Sequence, residues 1–388
     1  MPQYVAICYP AVDNEQSRWF RRRIVETISC VTFWNNYKDH MSDADFMKKE
    51  IAVNKLMEPL GFDLIFSVEH HFSNYSMGPD NFQFLGYMAA ATNRIKLGTL
   101  GVILPWNDPL RVAERVLLLD HLSEGRAVFG MARGLAKREY VGFRQDMEES
   151  RARFDESARM VCQAIESGYI EGNGPYFPQP RVPLRPSPIK SFVGRRYMVA
   201  MSPDTVPVCA EVGAVQCLFA YKPWPEVLPT IERYRTLFEQ HHKMPAPPVL
   251  TADLCFCHES ADAAYELAHK FVGRYFHSFA DHYEIFGAHL ADSKSYANYS
   301  GAKEAMDAIG IDTMVKAFVD SNVWGTPKQI LEKYEERRSI IGDFQASATF
   351  SFSGMTFEEA KNNITTYATK VMPELRRWSK GAAKKQAA

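Results

Sequence analysis

Three titratable side chains, Glu69, His70 and His71, follow one another in the stretch FDLIFSVEHHF (62–72). The first half of the stretch alternates like a β-strand, so the three groups stand at the strand's end. Imidazole titrates near neutral pH and acts as a general acid or base, and a neighbouring carboxylate can orient it. A histidine that merely fills space is the alternative for either ring. We expect these residues to serve a site.

Adjacent histidines raise the question of a metal site. Successive side chains of a strand point to opposite faces, so His70 and His71 cannot chelate one ion while both keep strand geometry. The paired groups at 241–242 and 281–282 stand in helical or loop contexts, and the seven cysteines are scattered without metal-binding spacing. The sequence therefore predicts no metal site.

A second candidate is an anion site at the stretch SPDT (202–205), which follows an apolar strand and precedes a helix-like run at 206–212. Ser, Thr and Asp in this position cap the free N–H groups of a helix, and the same geometry favours a phosphate. Arg133 ends a neighbouring strand and offers a guanidinium for the anion. Capping alone accounts for Ser202, whereas Ser202 together with Arg133 leaves capping and phosphate binding as equal alternatives.

Alternating strands and helices position these candidates. Eight short apolar strands are predicted, separated by helices or by helix-containing connections. Such strands are parallel, and closing eight of them gives an α/β fold, a (β/α)8 TIM barrel with insertions. The predicted strands are 4–9, 62–69, 95–104, 126–133, 196–201, 216–221, 249–257 and 346–352, and the clearest helices are 110–122, 150–167, 224–241 and 261–278.

The active site of such a barrel lies at the carboxyl ends of the strands, where the candidate residues stand. Two segments interrupt the alternation: 168–194 is rich in proline and glycine, and 287–323 follows an aromatic helix. Long loops in a compact domain are often functional lids. We expect one domain over 1–378 and a basic, solvated tail over 379–388.

Composition and missing motifs exclude several classes of function. The 388 residues carry a net charge of −1 with both signs interspersed, which gives no case for nucleic acid or a membrane surface. No apolar run approaches the ~20 residues of a membrane span, and the start does not resemble a signal peptide, so we expect a cytoplasmic protein. Fingerprints for dinucleotides, for a P-loop and for a nucleophilic serine are absent.

The chain resembles the bacterial luciferase-like flavin-dependent monooxygenases, and within that family the luciferase α subunits. The family's second-strand signature is similar to GFDLIFSVEHHF, and its third strand and next helix to LGTLGVILPWNDPLRVAERVLLLDHLSEGR. Its fourth strand is similar to FGMARGLAKREYVGFRQDMEESRARFDE, and later landmarks are similar to YMVAMSPDT, FVGRYFHSF and VWGTPKQI. The matches are ordered and cover most of the chain.

The resemblance implies a barrel that binds reduced FMN, supplied by a separate NAD(P)H:flavin reductase, with O2 as co-substrate. By position, the cofactor contacts would be Leu100 and Gly101 at the flavin ring, Arg133, Ser202 and Thr205 at the phosphate, and Met201 beside them. Two positions depart from the luciferases: Met201 replaces a glutamate and Ala132 replaces a cysteine. The 287–323 segment also does not resemble the mobile loop of the luciferases.

The resemblance makes His70 the catalytic histidine, supported by Glu69 and His71. Strict alternation places His70 on the same face as Phe62 and Val68, and His71 on the face that we expect to line a polar barrel interior. The alternation of strand side chains therefore favours His71 as the catalytic residue. The resemblance to the family favours His70. We take His70 as the catalytic residue and keep His71 as the second candidate.

The resulting hypothesis is a two-component flavin-dependent monooxygenase that oxygenates a small apolar organic substrate, by Baeyer–Villiger or aldehyde oxidation. The alternatives are a deazaflavin-dependent oxidoreductase of the same fold, and a non-catalytic partner subunit of a luciferase-like heterodimer. The helix 110–122 is apolar over much of its surface, and an outer barrel helix needs only one buried stripe. We therefore expect a homodimer formed through this helix.

Overall fold

The computed structural model describes residues 27–287, 296 and 301–378. Strands are short and buried where they build the central sheet. Within the described ranges the strands are β1 Ile28–Thr32, β2 Leu64–Ser67, β3 Lys96–Thr99, β4 Val102–Ile103, β5 Ala127–Ala132, β6 Tyr169–Gly172, β7 Gln179–Pro183, β8 Arg196–Val199, β9 Val215–Phe219, β10 Val249–Leu254, β11 Phe256–Cys257, β12 Trp324–Gly325 and β13 Phe344–Thr349.

The α-helices in the same ranges are α1 Asp43–Lys55, α2 Asn81–Ala91, α3 Pro109–Leu122, α4 Lys137–Gly142, α5 Ser150–Ser167, α6 Val206–Glu211, α7 Trp224–His242, α8 Ala261–Tyr283, α9 Ala302–Ile309, α10 Ile311–Ser321, α11 Pro327–Ile341 and α12 Phe357–Thr366. Their first turns are fixed by local side chains. Ser42, Asp108 and Thr326 each accept a hydrogen bond from the third helical N–H of their helix. Gly168 ends α5 in the left-handed conformation, with φ of 76°.

Eight parallel strands close into a barrel surrounded by helices. Their order is β1, β2, β3, β5, β8, β9, β10 and β13, and β13 pairs again with β1. The short strand β4 pairs with β5 beyond the end of β3, so the chain bends inward after Thr99. The predicted (β/α)8 TIM barrel is confirmed.

Several predicted boundaries differ from the observed ones. The first barrel strand is Ile28–Thr32, which the sequence reading left out, and the predicted strand at 4–9 lies outside the described residues, as does the tail 379–388. The predicted strands 95–104 and 249–257 are each divided in two. The excursion at 168–194 contains the antiparallel hairpin β6–β7, and residues 302–321 of the expected lid form α9 and α10.

Apolar side chains fill the barrel lumen as well as the layer between strands and helices. Phe66 of β2 packs edge-to-face on Tyr197 of β8, with ring centroids 5.3 Å apart, although these strands are not neighbours. Leu64 and Val68 belong to the same cluster, whereas Ile65 packs with the helices. The expectation of a polar interior was therefore wrong for the wall formed by β2, because both faces of a parallel barrel strand are buried. Polar groups do occur on the lumen side elsewhere, where Ser29 donates to Ser347 Oγ at 2.8 Å.

None of the helices in the described ranges combines the length and hydropathy needed to cross a membrane. Six cysteines in these ranges are buried free thiols: Cys30, Cys162, Cys209, Cys217, Cys255 and Cys257. Burial raises the pKa of the Cys162 thiol to about 11, so this side chain is protonated and unreactive at neutral pH.

Candidate active site

A cavity of about 200 Å³ opens at the carboxyl ends of the barrel strands. Residues from β2, β3, β5, β8, β9, β10 and α8 or their following loops line it, which is the location expected for a TIM-barrel site. The residues singled out in the sequence that line the cavity are Glu69, His70, Leu100, Gly101, Arg133, Met201, Ser202 and Thr205.

His70, rather than His71, reaches this cavity. Strand β2 ends at Ser67, and the His70 N–H then donates to Gly78 O at 3.2 Å, outside the barrel ladder. His70 continues the lumen-facing series of Leu64 and Val68, so the alternation itself was sound. The alternation along β2 had favoured His71 because the face opposite to Leu64 and Val68 was expected to line the lumen. In the structure, the face with Leu64 and Val68 lines it instead.

Glu139 of α4 contacts the His70 ring, and it was not among the site residues predicted from the sequence. His70 Nδ1 lies 3.1 Å from Glu139 Oε1, and the His71 backbone N–H donates to the same oxygen at 2.7 Å. On the far side, His282 Nε2 from α8 lies 3.4 Å from this oxygen. Glu139 lies in FGMARGLAKREYVGFRQDMEESRARFDE, a stretch similar to the luciferase-like family. Its partners His70 and His282 are distant in sequence, so no local spacing indicated it.

The charges of this buried group are set by its surroundings. Burial alone would raise the pKa of Glu139, but His70 and His282 outweigh it and hold the pKa of the carboxyl well below its usual value. Burial lowers the pKa of His282 to about 4. Glu139 is therefore an anion and His282 a neutral imidazole at neutral pH.

Glu69 and His71 organise the wall of the site. Glu69 accepts hydrogen bonds from Ile103 N at 3.2 Å, Trp106 Nε1 at 2.9 Å and Asn107 Nδ2 at 3.2 Å, which fastens the loop after β4 to the end of β2. His71 Nε2 lies 3.3 Å from Glu69 Oε1. These contacts make Glu69 a structural anchor whose oxygens are already engaged.

The ends of β3 and β5 approach very closely. The Leu100–Gly101 peptide is cis, and both residues line the cavity. A Cβ at Gly101 would lie 2.5 Å from the backbone carbon of Met131, so a larger residue does not fit there. Met201, at the end of β8, also lines the cavity, and its sulfur accepts the Phe219 N–H at 3.2 Å.

Two arginines meet near the end of β8, and only one was expected. Arg151 of α5 donates from Nη2 to Thr205 Oγ1 at 2.9 Å and lies 3.5 Å from Ser202 Oγ. The Thr205 hydroxyl therefore does not cap α6, as the capping alternative required. Burial, and then the charge of Arg133, lower the pKa of Arg151. Arg151 was missed because it lies in a helix and not at a strand end.

Arg133 lies at the end of β5 with its guanidinium over the ring of Tyr296, 3.9 Å from the ring centroid. The Tyr296 hydroxyl donates to Gly134 O at 2.9 Å, and Tyr140 Oη donates to Arg133 O at 2.6 Å. Arg133 is therefore fixed at the cavity wall by its backbone and by ring contact.

An aromatic wall lines the cavity beside His70. Tyr75 and Tyr275 share a hydrogen bond of 2.8 Å between their hydroxyls, and Phe33 packs edge-on to both rings. Tyr283 Oη lies 3.3 Å from His70 Nε2. Phe279 and Phe318 extend the wall. Such a surface binds apolar molecules and excludes water.

Comparisons with known proteins agree with this architecture. Residues 28–343 match the family model described as luciferase-like monooxygenase. The alkanal monooxygenase alpha chain of Photorhabdus luminescens is 25% identical over 351 residues, which cover 86% of this chain and 94% of the relative.

Among solved structures, monooxygenase RslO1 from Streptomyces bottropensis superposes with a TM-score of 0.75 at 22% identity, covering 90% of this chain and 99% of the other. The oxygenating constituent of 3,6-diketocamphane monooxygenase from Pseudomonas putida, a type II Baeyer–Villiger monooxygenase in complex with FMN, gives a TM-score of 0.68 at 15% identity, with coverage of 90% and 99%.

Proposed function

The chain belongs to the luciferase-like monooxygenase family, and from this premise we propose that it is a two-component flavin-dependent monooxygenase. It uses reduced FMN and O2 to oxygenate a small apolar substrate, of the carbonyl type oxidised in Baeyer–Villiger or aldehyde chemistry. A separate NAD(P)H:flavin reductase supplies the reduced flavin, consistent with the lack of a dinucleotide fingerprint in the sequence.

The observation that carries the proposal is an anion site continuous with an apolar cavity. Arg151 Nη1 is buried and makes no hydrogen bond within the described residues, its ion pair with Asp155 Oδ1 spans 3.7 Å, and burial and the charge of Arg133 still lower the pKa of Arg151. An anion placed between the two arginines and the hydroxyls of Ser202 and Thr205 counteracts this lowering. The phosphate of FMN fits this requirement, and these four side chains would hold it.

Leu100 and Gly101 would hold the flavin ring in the same cavity that His70 lines. Bound reduced flavin supplies the electrons for activating O2. The residues of this chain have three other tasks. Gly101 allows the ends of β3 and β5 to approach closely at the cavity wall, the aromatic wall excludes water and orients the substrate, and His70 accepts or donates a proton.

The contacts of His70 define how it handles that proton. Its Nδ1 faces the Glu139 carboxylate and so carries the proton, which leaves a lone pair on Nε2, near Tyr283 Oη and the cavity. A proton accepted at Nε2 gives an imidazolium that the buried Glu139 anion stabilises. His70 is the proposed general acid–base residue, Glu139 positions it, and Glu69 and His71 hold the adjoining wall.

Oxygen uptake by the purified chain tests the proposal. The assay contains the purified chain without a second luciferase-like chain, together with a flavin reductase and FMN. Aldehydes, cyclic ketones, terpenes and sulfonates are tested as substrates. We expect uptake that matches product formation for at least one class. Turnover only with a reduced deazaflavin supports the deazaflavin alternative, and activity only with a second luciferase-like chain supports a partner subunit. Retention of His70, Arg133, Ser202 and Thr205 in one site disfavours the latter.

A further inference from the structure

Two imidazole nitrogens and one carboxylate oxygen converge beside the cavity. His70 Nδ1 and His282 Nε2 lie 3.1 and 3.4 Å from Glu139 Oε1, and all three atoms lie within 4.8 Å of one another. Ligands of a tetrahedral zinc ion are about 3.3 Å apart, because Zn–N and Zn–O bonds are roughly 2.0–2.1 Å long. Only a small closing movement is needed to place all three around one ion.

Two atoms of this cluster have unused bonding capacity. Glu139 Oε2 and His282 Nε2 are buried and make no hydrogen bond within the described residues, although both side chains are fully shielded from solvent. Leaving a buried polar atom without a hydrogen-bond partner costs free energy of folding, so such atoms are rare in proteins. A cation held by Glu139 Oε1 and His282 Nε2 would give this imidazole nitrogen a bonding partner.

The surroundings of the two imidazoles also suit a metal. The nitrogen of each ring that faces away from Glu139 has an oxygen partner: Ser73 Oγ lies 2.7 Å from His282 Nδ1, and Tyr283 Oη lies 3.3 Å from His70 Nε2. Histidines that bind metals use their second nitrogen in this way, which fixes the tautomer and orients the ring.

We propose that His70, Glu139 and His282 form a binding site for a divalent transition-metal ion such as Zn2+. Two imidazoles and a carboxylate suit zinc, and three protein ligands leave one coordination position for water. The His71 N–H keeps its bond to Glu139 Oε1, which has a second lone pair for the ion. The expectation of no metal site considered His282 only together with Asp281 and His70 only together with His71, whereas the fold brings His282 of α8 close to His70 and Glu139.

This site goes beyond the proposed function and competes with it. The ion occupies the His70 nitrogen that otherwise shares a proton with Glu139. Metal occupancy and proton transfer by His70 therefore exclude one another, which makes Zn2+ an inhibitor of the proposed reaction. Binding can be measured without any substrate, so a failure of one proposal leaves the other intact.

Titration calorimetry of the full, chelator-stripped chain with Zn2+ tests the site. Wild type is compared with His282→Gln and with the control His269→Gln, a half-buried histidine on the same helix whose Nδ1 bonds Tyr265 O at 2.8 Å. We expect His282→Gln to lose at least ~10-fold in affinity for one equivalent of zinc, and the control to bind like wild type. Visible absorption of Co2+ at the site should follow the same pattern.

Ser73→Ala provides a second variant that keeps all three ligands, in case His282→Gln does not fold. Removing this outer partner of His282 should weaken zinc by about 10- to 100-fold. The proposal is overturned if wild type binds no zinc in the micromolar range. It is equally overturned if Ser73→Ala and every folded His282 variant bind zinc as tightly as wild type does.

Discussion

His70 and His71 are adjacent in the chain but have different surroundings. His70 lines the cavity and is held by the Glu139 anion, whereas His71 packs on the ring of Phe143, with ring centroids 4.6 Å apart, and pairs with Glu69. A proton transferred to or from a bound molecule therefore has access to His70. The difference between the two rings can be tested by removing each in turn.

We expect His70→Ala to lower product formation by about 100-fold or more, the usual loss for an acid–base group. FMN binding should change little, because His70 is not among the groups at the anion site. His71→Ala should retain most of the activity. Steady-state rates and anaerobic FMN titrations of both variants measure this. A crippled His71→Ala beside an active His70→Ala would reverse the assignment.

The anion site predicts a loss of affinity that depends on the phosphate. Arg151→Ala and Arg133→Ala should each weaken reduced FMN by roughly 10- to 150-fold, equivalent to about 1.5–3 kcal/mol for one charge-assisted contact. Binding of riboflavin, which lacks the phosphate, should hardly change.

Arg153→Ala is the matched control for the arginine variants. Arg153 also lies on α5, but its Nε pairs with Glu149 at 2.9 Å and its guanidinium lies over Tyr176. Its removal should leave FMN affinity unchanged. Equal losses for FMN and riboflavin in the Arg133 and Arg151 variants would place the phosphate elsewhere.

At the scale of elements, a buried ion pair joins α11 to β10, whose Asp253 also lines the cavity. Arg337 donates from both terminal nitrogens to Asp253 at 2.7 Å, and both side chains are almost completely buried. Removing one partner leaves the other charge unpaired, so Arg337→Ala should cost about 3–5 kcal/mol of unfolding free energy. Urea unfolding measures the change.

The neighbouring Arg338 gives the comparison. Arg338 pairs with Asp343 at 2.9 Å, and both side chains are about one-third exposed. Arg338→Ala should cost no more than about 1 kcal/mol, since solvent screens such pairs. Similar losses for Arg337→Ala and Arg338→Ala would mean that the buried pair does not hold α11 to the barrel.

Most elements could be predicted from the sequence because their patterns are local. The helix 150–167 was placed at its observed bounds, since Gly168 marks its end and its apolar residues recur at helical spacing. Strand β1, with the sequence ISCVT, was missed because five residues give little periodicity. Glu139 and Arg151 were missed, and His282 was set aside, for another reason: their partners are brought near only by barrel closure.

At the scale of the whole molecule, the outer face of α3 bears on association. Much of its apolar surface is used inside the subunit, since Val112, Val116 and Leu117 are buried in the core. Leu118 and Leu122 remain 49% and 58% exposed, one turn apart on the outer face. These two leucines are what the predicted homodimer would cover.

We expect the chain to sediment as a dimer at micromolar concentration and the double variant Leu118→Lys/Leu122→Lys to sediment as a monomer. The two lysine charges would be buried in an apolar interface without a partner of opposite charge, which disfavours the dimer. Ile309→Lys, at a residue of α9 that is 52% exposed, should remain dimeric. A wild-type monomer, or a dimer unaffected by the double change, would contradict this interface.

The origin of the oxygen atom in the product distinguishes a monooxygenase from the alternatives. The purified chain is supplied with reduced FMN and 18O2, and products from the aldehyde, ketone, terpene and sulfonate panel are analysed by mass spectrometry. A monooxygenase places one oxygen atom of O2 in its product. We predict one 18O per product molecule for at least one substrate class, and loss of this product in His70→Ala. Unlabelled products formed with a reduced deazaflavin, and none with reduced FMN, would contradict the claim.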